Sequence, residues 1–308
     1  MKILYLGTRD KLEPNYTYLY YGDLYRSLCK KATVIVQESL SEPVPEGIDA
    51  VVFGTSYEND KRDCNLDIDI NIPKIYILHK PQMDNFKFKI ALCKKADVDL
   101  LAYSQTNHAE FANVVGIPSM QLWFAGDPAL YSRNDVEKLY DFGFSGALHG
   151  GDKIQGVAQD LRNKVHAIAK SLPIKLFWNG SDSVAPRIVS AEEYALRINQ
   201  TKIWLSTTGP IDDVGVRHFE ICLSSALLFC NNMPFQNGDV FVDEQNCIMF
   251  ENDLSDLEEK LIYYVHHDDE REQIVRRSSD AFLQQHTWDN RADELIKTIH
   301  KIQGEKHA

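Results

Sequence analysis

The chain has 308 residues, 44% of them hydrophobic and 25% charged, with a formal net charge of −12. That length exceeds one ordinary core and suits two domains of a globular protein. The acidic balance argues against a binder of nucleic-acid backbones, which needs a basic surface, while leaving room for a local basic pocket. Six cysteines (Cys29, Cys64, Cys93, Cys222, Cys230, Cys247) include no Cys-x-x-Cys pair, and several stand in apolar runs, so reduced core thiols are expected. Six residues precede Gly7, too few for a signal peptide, and no apolar run reaches the length of a membrane span. The expected setting is cytoplasmic, with no transmembrane segment.

In chain order, Ile3–Leu6, Thr33–Val36, Ala50–Phe53, Lys74–Leu78 and Leu100–Tyr103 are strand-length apolar runs, mostly continuous, as in strands buried on both faces. Helical patterns occupy Tyr16–Lys30, Phe86–Ala96 and Asn107–Val115, and Glu38–Asp49 reads as a loop around Pro43 and Pro45. The pattern breaks near Ala125–Asn134 and then restarts. Strands are predicted at Phe142–Ser145, Ile174–Trp178, Ile203–Ser206, Ala226–Cys230 and Cys247–Phe250, with helices at Val157–Ser171, Ala191–Asn199 and Gly215–Ser224. Ser190-x-x-Glu193 and Ser255-x-x-Glu258 have capping-box spacing, and Asp253–Ile302 reads as almost wholly helical. The fold class is therefore α/β: two Rossmann-like, doubly wound parallel-sheet domains facing a cleft, with a helical C-terminal end. The expected bounds are residues 1–125 for an acceptor-side domain and 126–285 for a donor domain. A last helix at 286–308 is expected to pack back toward the first domain. The cleft is the default ligand site.

The segment Lys202–Phe250 carries the most chemistry. It places Arg217 and Glu220 three apart, on one face of a helix that follows a strand. In an open parallel sheet, ligands sit at the carboxyl ends of strands against helix N-termini. A guanidinium for phosphate beside a carboxylate for vicinal hydroxyls suits a nucleotide sugar. Glu220 also fits a glutamate favoured by the helix dipole alone, and Arg217 a surface salt bridge. Gly146, Gly150 and Gly151 flank the loop after the second half's first strand, where missing Cβ atoms let backbone approach a ligand. Lys153 and Arg162 follow that loop and are candidates to cap a leaving phosphate; each also fits an exposed, solvated charge. Asn179-Gly180 ends the next strand, near the base of a nucleotide or simply as a turn. In the first half, Asp10 follows the first strand and His79 ends Lys74–Leu78, so both are candidate general bases; a structural histidine also fits His79. His266-His267-Asp268-Asp269 reads as a helix junction, His286-Thr287-Trp288 as structural, and Asp67-x-Asp69 stands in a loop without a metal-site context.

Arg217-x-Phe219-Glu220, Ala226-Leu227-Leu228, Phe241-x-Asp243, Cys247-x-Met249-Phe250, Asp253-Leu254, Tyr263-Tyr264, His267-Asp268-x-Glu270-Arg271 and His286-Thr287-Trp288-x-x-Arg291-Ala292 follow one another in order. This series closely resembles the C-terminal domain of the CgeB-like glycosyltransferases, the group 1 type, over about residues 200–302. Phe124-Ala125-Gly126-Asp127-Pro128 resembles the family's interdomain Gly-x-Asp-Pro, and Tyr140 to Gly146 its first donor-domain strand and loop. Before residue 100 only the general Rossmann pattern carries over. The resemblance implies a GT-B fold with the nucleotide-sugar donor held mainly by the second domain. Two places depart from the family pattern. Ser224-Ser225 stand where it has Cys-Gly, and Asp212-x7-Glu220 stands where retaining members have Glu-x7-Glu.

The expected activity is transfer of a sugar, hexosyl or pentosyl, from a nucleoside-diphosphate sugar to a hydroxyl of a glycan or other acceptor. No metal or other cofactor is expected; the leaving diphosphate would be stabilised by Arg217, Lys153 or Arg162 and by helix N-termini. Two alternatives fit the same residues: a non-catalytic nucleotide-sugar or glycan binder of GT-B fold, motivated by Ser224-Ser225 and Asp212, and a nucleotide-sugar epimerase. Gly7-Thr8-Arg9-Asp10-Lys11 is no Gly-x-Gly-x-x-Gly, which argues against a nicotinamide enzyme.

Overall fold

The structure, a computed structural model, describes residues 1–13, 20–38, 42–54, 71–78, 86–104, 109, 113–114, 116–148, 153–181, 190–209, 214–233 and 240–306. Two compact units emerge, Met1–Phe124 together with Trp288–Ala308, and Ala125–Thr287.

The first unit contains β1 (Lys2–Leu6), α1 (Arg9–Leu12), α2 (Tyr20–Cys29), β2 (Thr33–Gln37), β3 (Ala50–Phe53), β4 (Lys74–Leu78), α3 (Phe86–Lys95), β5 (Leu100–Tyr103) and β6 (Ser119–Gln121). The strands form one parallel sheet in the order β2-β1-β3-β4-β5-β6. Every residue of β3 and β4 is buried, which is why these strands read as unbroken apolar runs. Their core joins Leu4, Leu6, Phe53, Leu78 and Leu101 with Leu92 of α3.

The second unit contains β7 (Tyr140–Ala147), α4 (Lys153–Ser171), β8 (Leu176–Ser181), α5 (Ala191–Asn199), β9 (Thr201–Leu205), α6 (Val216–Leu223), β10 (Leu227–Asn231), β11 (Ile248–Phe250), α7 (Leu257–His266) and α8 (Asp268–Gln285). Its sheet is again all parallel, in the order β11-β10-β9-β7-β8. Phe142, Phe144, Leu205, Phe229 and Phe250 from the sheet meet Leu257, Leu261 and Ile274 from α7 and α8. In both sheets the strand order reverses beside the first strand, between β1 and β3 and between β7 and β9. Such a reversal point, at the carboxyl ends of the strands, is where open parallel sheets take their ligands.

Three local features differ from the sequence reading. Strand β6 was not predicted: its residues Ser-Met-Gln carry no apolar run, and pairing with β5 creates it. Strand β8 runs through Asn179-Gly180 to Ser181, because Ser145 and Gly146 of β7 pair with those two residues, and the ladder overrides the turn signal. The Ser190 N-cap forms, with Ser190 Oγ accepting the Glu193 N–H at 3.3 Å. The Ser255 box does not: α7 starts at Leu257, after a turn in which Asp253 accepts the Ser255 N–H and Leu254 takes φ 66°.

The last helix, α9 (Trp288–Lys306), belongs to the first unit. It buries Trp288, Ala292, Leu295, Ile299 and Ile302. Ion pairs join it to the turn after α2 (Lys30–Asp289 2.9 Å, Lys31–Asp293 2.8 Å) and to the residue before β5 (Lys306–Asp99 2.7 Å). Among the described residues no helix is long and apolar enough to cross a membrane.

Candidate functional site

The carboxyl edge of the second sheet, at the switch point between β7 and β9, is built around three consecutive hydroxyl residues. Ser206, Thr207 and Thr208 leave the end of β9, and each is held by a different element. His218 of α6 places Nδ1 at 3.2 Å from Ser206 Oγ. Arg162 of α4 donates from Nε to Thr207 Oγ1 at 2.8 Å. Asn231, at the end of β10, accepts the Thr208 N–H at 2.8 Å and donates to Thr208 Oγ1 at 3.0 Å. Short polar residues after a strand would otherwise wander; here their backbone is fixed before any ligand arrives.

Two guanidinium groups converge on the end of β7. Arg162 donates through Nη1 to the Ala147 carbonyl at 3.0 Å, and Arg217 through Nη1 to the Ser145 carbonyl at 2.6 Å. Arg217 sits in the first turn of α6, half-buried, with its Cζ over the Tyr194 ring, 5.7 Å from the centroid. Of its five N–H donors, one is used by the described residues, which leaves four for an anion. His218, fully buried, is close enough to both cations to feel their charge. Burial, with repulsion from Arg162 and Arg217, lowers its pKa to about 4 against a raising contact with the Gly215 carbonyl at 3.2 Å. A carbonyl only accepts, so the neutral ring carries its proton on Nδ1. Its Nε2 has no hydrogen-bond partner.

Glu220 stands one turn beyond Arg217 and retains only 9% of its surface. Both residues act on the Tyr194 phenol, whose pKa is raised by burial and by Glu220 and lowered by Arg217. Arg217 and Glu220, three apart on α6, thus both act electrostatically on one aromatic side chain.

The other predicted residues fall as follows. A Cβ at Gly146 would meet Arg217 Nη1 at 2.7 Å and Phe144 Cζ at 2.7 Å, so the protein's own arginine fills the space this glycine leaves. Arg162 is anchored in the sheet edge, unlike the exposed charge that its sequence also allowed. Asn179 lies inside β8 opposite Ser145, with its Oδ1 buried and without a partner. Lys153 opens α4; its side chain lies outside the described residues, as do Asp212, His79, Gly150, Gly151, Asp67 and Asp69. Asp10 is exposed in α1, just past the carboxyl end of β1. Ser224 and Ser225 sit at the far, C-terminal end of α6. There Ser224 Oγ donates to the Glu220 carbonyl, and Ser225 exchanges hydrogen bonds with the Asn134 backbone. They tie the helix end down and stand a helix length from the Arg217 end. His267 stacks on Tyr263 at 3.8 Å, and His286 packs on Phe282 and Phe219.

Sequence reasoning missed Thr207, His218, Tyr194 and Asn231. His218 was within sight, between Arg217 and Phe219, and Ser206-Thr207-Thr208 was a legible polar run after a strand. Tyr194 and Asn231 carried no local signal, because only the sheet order brings α5 and β10 to this edge. Lys138 was missed too: its Nζ donates to the carbonyls of Asn199, Thr201 and Ser225, and burial lowers its pKa to about 8.

Residues 152–297, a little under half of the chain, match the family model described as glycosyl transferase-like. No curated protein matches the chain by sequence. Solved structures do match by fold. The Anabaena protein HepE, crystallised with UDP and glucose, is 12% identical with a TM-score of 0.59, over 98% of this chain and 100% of that one. Sucrose-phosphate synthase from Thermosynechococcus elongatus is 9% identical with a TM-score of 0.65, over 98% and 99%. A glycosyltransferase from Rickettsia africae is 11% identical with a TM-score of 0.57, over 98% of each chain. The fold is that of the GT-B glycosyltransferases, two Rossmann-like parallel-sheet domains with flanking helices.

Proposed function

We propose that the protein is a glycosyltransferase of the CgeB-like group that takes its sugar from a nucleoside-diphosphate sugar held at the β7–β9 edge of the second unit. The observation that carries this reading is Arg217, held at the switch point with four N–H donors unspent among the described residues. The glycosyl transferase-like match, residues 152–297, covers most of that unit with Arg162, Arg217 and Glu220 but not β7, and HepE was crystallised with UDP and glucose. The five described cysteines are free thiols, four of them buried, which fits the cytoplasmic setting read from the sequence.

In the proposed reaction, the bond between the sugar's anomeric carbon and the diphosphate oxygen breaks, and a bond to an acceptor hydroxyl forms. The diphosphate gains negative charge as it leaves. Arg217 and the α6 N-terminus, with Lys153 at the start of α4, would offset that charge without a metal. Glu220 accepts from the ribose hydroxyls. The acceptor, a glycan or other hydroxyl compound, is assigned to the first unit, with Asp10 or His79 taking its proton if the sugar inverts. The leaving phosphate takes the proton if the sugar is retained.

Thermal shift against UDP, GDP, CDP and dTDP and their sugars tests the reading, because a ligand selective for the native state raises its melting point. One of them is expected to stabilise the chain. Glu220→Ala is expected to weaken that ligand by about 1.5–3 kcal/mol, the scale of a hydrogen bond to a charged group. Unchanged affinity in a folded Glu220→Ala protein would remove the ribose role, and no shift with any of the nucleotides would remove the function.

A further inference from the structure

Arg217 is held by features that have no bearing on the fold of α6 itself. Its guanidinium is pinned at one side by the Ser145 carbonyl. The strand beneath it carries Gly146, where any side chain would meet Nη1 at 2.7 Å, closer than real Cβ contacts come. The Tyr194 ring covers it, 5.7 Å from Cζ. That ring is itself fixed edge-on against Trp204 (5.8 Å, 76°) and Tyr131 (6.1 Å, 76°) and is 9% exposed. Arginine on a free surface samples many rotamers, and ordering it on binding costs affinity. A guanidinium already seated between a bare strand and a rigid ring meets that cost before a ligand arrives.

We propose that Gly146 and Tyr194 are positioning residues that form a slot for Arg217 and thereby set the affinity of this edge for the diphosphate part of a ligand. The inference rests on the reading of this edge as a nucleotide-sugar site. The slot acts on the phosphate-binding group alone, so its loss has a selective signature. The contact to Arg217 is made by the face of the Tyr194 ring, and the slot requires only the ring.

The test is titration calorimetry on the full chain, using the tightest diphosphate among UDP, GDP, CDP and dTDP and its matching nucleoside. Gly146→Ala and Tyr194→Leu are each expected to weaken the diphosphate about tenfold and to leave the nucleoside within about twofold, since only a charge-assisted contact is lost. Tyr194→Phe keeps the ring and is expected to bind as the parent protein does. In an Arg217→Met background, Gly146→Ala is expected to have no further effect, because a residue that acts through another loses its effect when the other is gone. An equal loss for diphosphate and nucleoside, or a loss that persists without Arg217, would overturn the slot. Gly146→Ala also crowds the Phe144 ring tip; should it fail to fold, the Tyr194→Leu and Tyr194→Phe pair decides. A parent protein that binds none of the diphosphates sinks the proposed function, whereas binding indifferent to all three substitutions sinks the slot alone.

Discussion

His218 shows how much one buried side chain organises. It ties Ser206 at the end of β9 to Gly215 at the start of α6, and it does so as a neutral ring under the repulsion of Arg162 and Arg217. Its folded-state pKa of about 4 lies below the value near 6.5 of an unfolded chain. The unfolded state therefore takes up a proton that the folded state refuses. Stability from this residue is complete above pH 6.5, falls as the pH drops from 6.5 toward 4, and then levels off. The loss amounts to about 3 kcal/mol. His218→Gln, which still offers an N–H to the Gly215 carbonyl but does not titrate, is expected to flatten that part of the curve. Urea unfolding of both proteins between pH 8 and pH 4 checks this, and parallel curves would count against the assignment.

At the level of elements, the two capping-box spacings separate a real signal from a coincidental one. Ser190 caps α5, the helix that carries Tyr194. Ser255 lies in a turn ahead of α7, exposed, and caps nothing. Ser190→Ala is expected to cost about 1 kcal/mol, the usual value of a lost N-cap. Ser255→Ala is expected to stay within about 0.5 kcal/mol, as exposed substitutions away from such features do. Equilibrium denaturation midpoints at constant slope compare the two directly. The β-strands teach the same lesson from the opposite side. Buried strands such as β3, β4 and β10 were legible because continuous apolar runs mark burial on both faces. Strand β6 and the end of β8 were not, because they owe their extended backbone to a neighbour and not to their own residues.

For the whole molecule, the chain crosses out of its first unit at Phe124 and returns to it at Trp288. Helix α9 covers part of that unit with Trp288, Leu295, Ile299 and Ile302, and Gln303 donates to the Asp49 carbonyl. Burying four large apolar side chains contributes roughly 6–12 kcal/mol, which is comparable to the whole stability of a domain. Ending the chain at Thr287 is therefore expected to unfold Met1–Phe124 while Ala125–Thr287 keeps its structure. Amide hydrogen exchange resolves the two units. Lasting protection in β1, β3 and β4 of the truncated chain would contradict this dependence.

Read alone, the sequence determined what local periodicity and residue type can carry: two parallel α/β sheets, most strands within a few residues, the Ser190 cap, and Arg217 and Glu220 on one helical face. The tertiary structure decided what depends on residues far apart in the chain. Sheet order put the β7–β9 switch point beside Arg162, Arg217 and the Ser206–Thr208 crown, brought Tyr194 over Arg217, and gave Gly146 a neighbour 71 positions away. The reason is physical. A helix or strand is specified by neighbours a few residues apart, whereas a site at a sheet edge is specified by which strands pair, and no single segment encodes that choice.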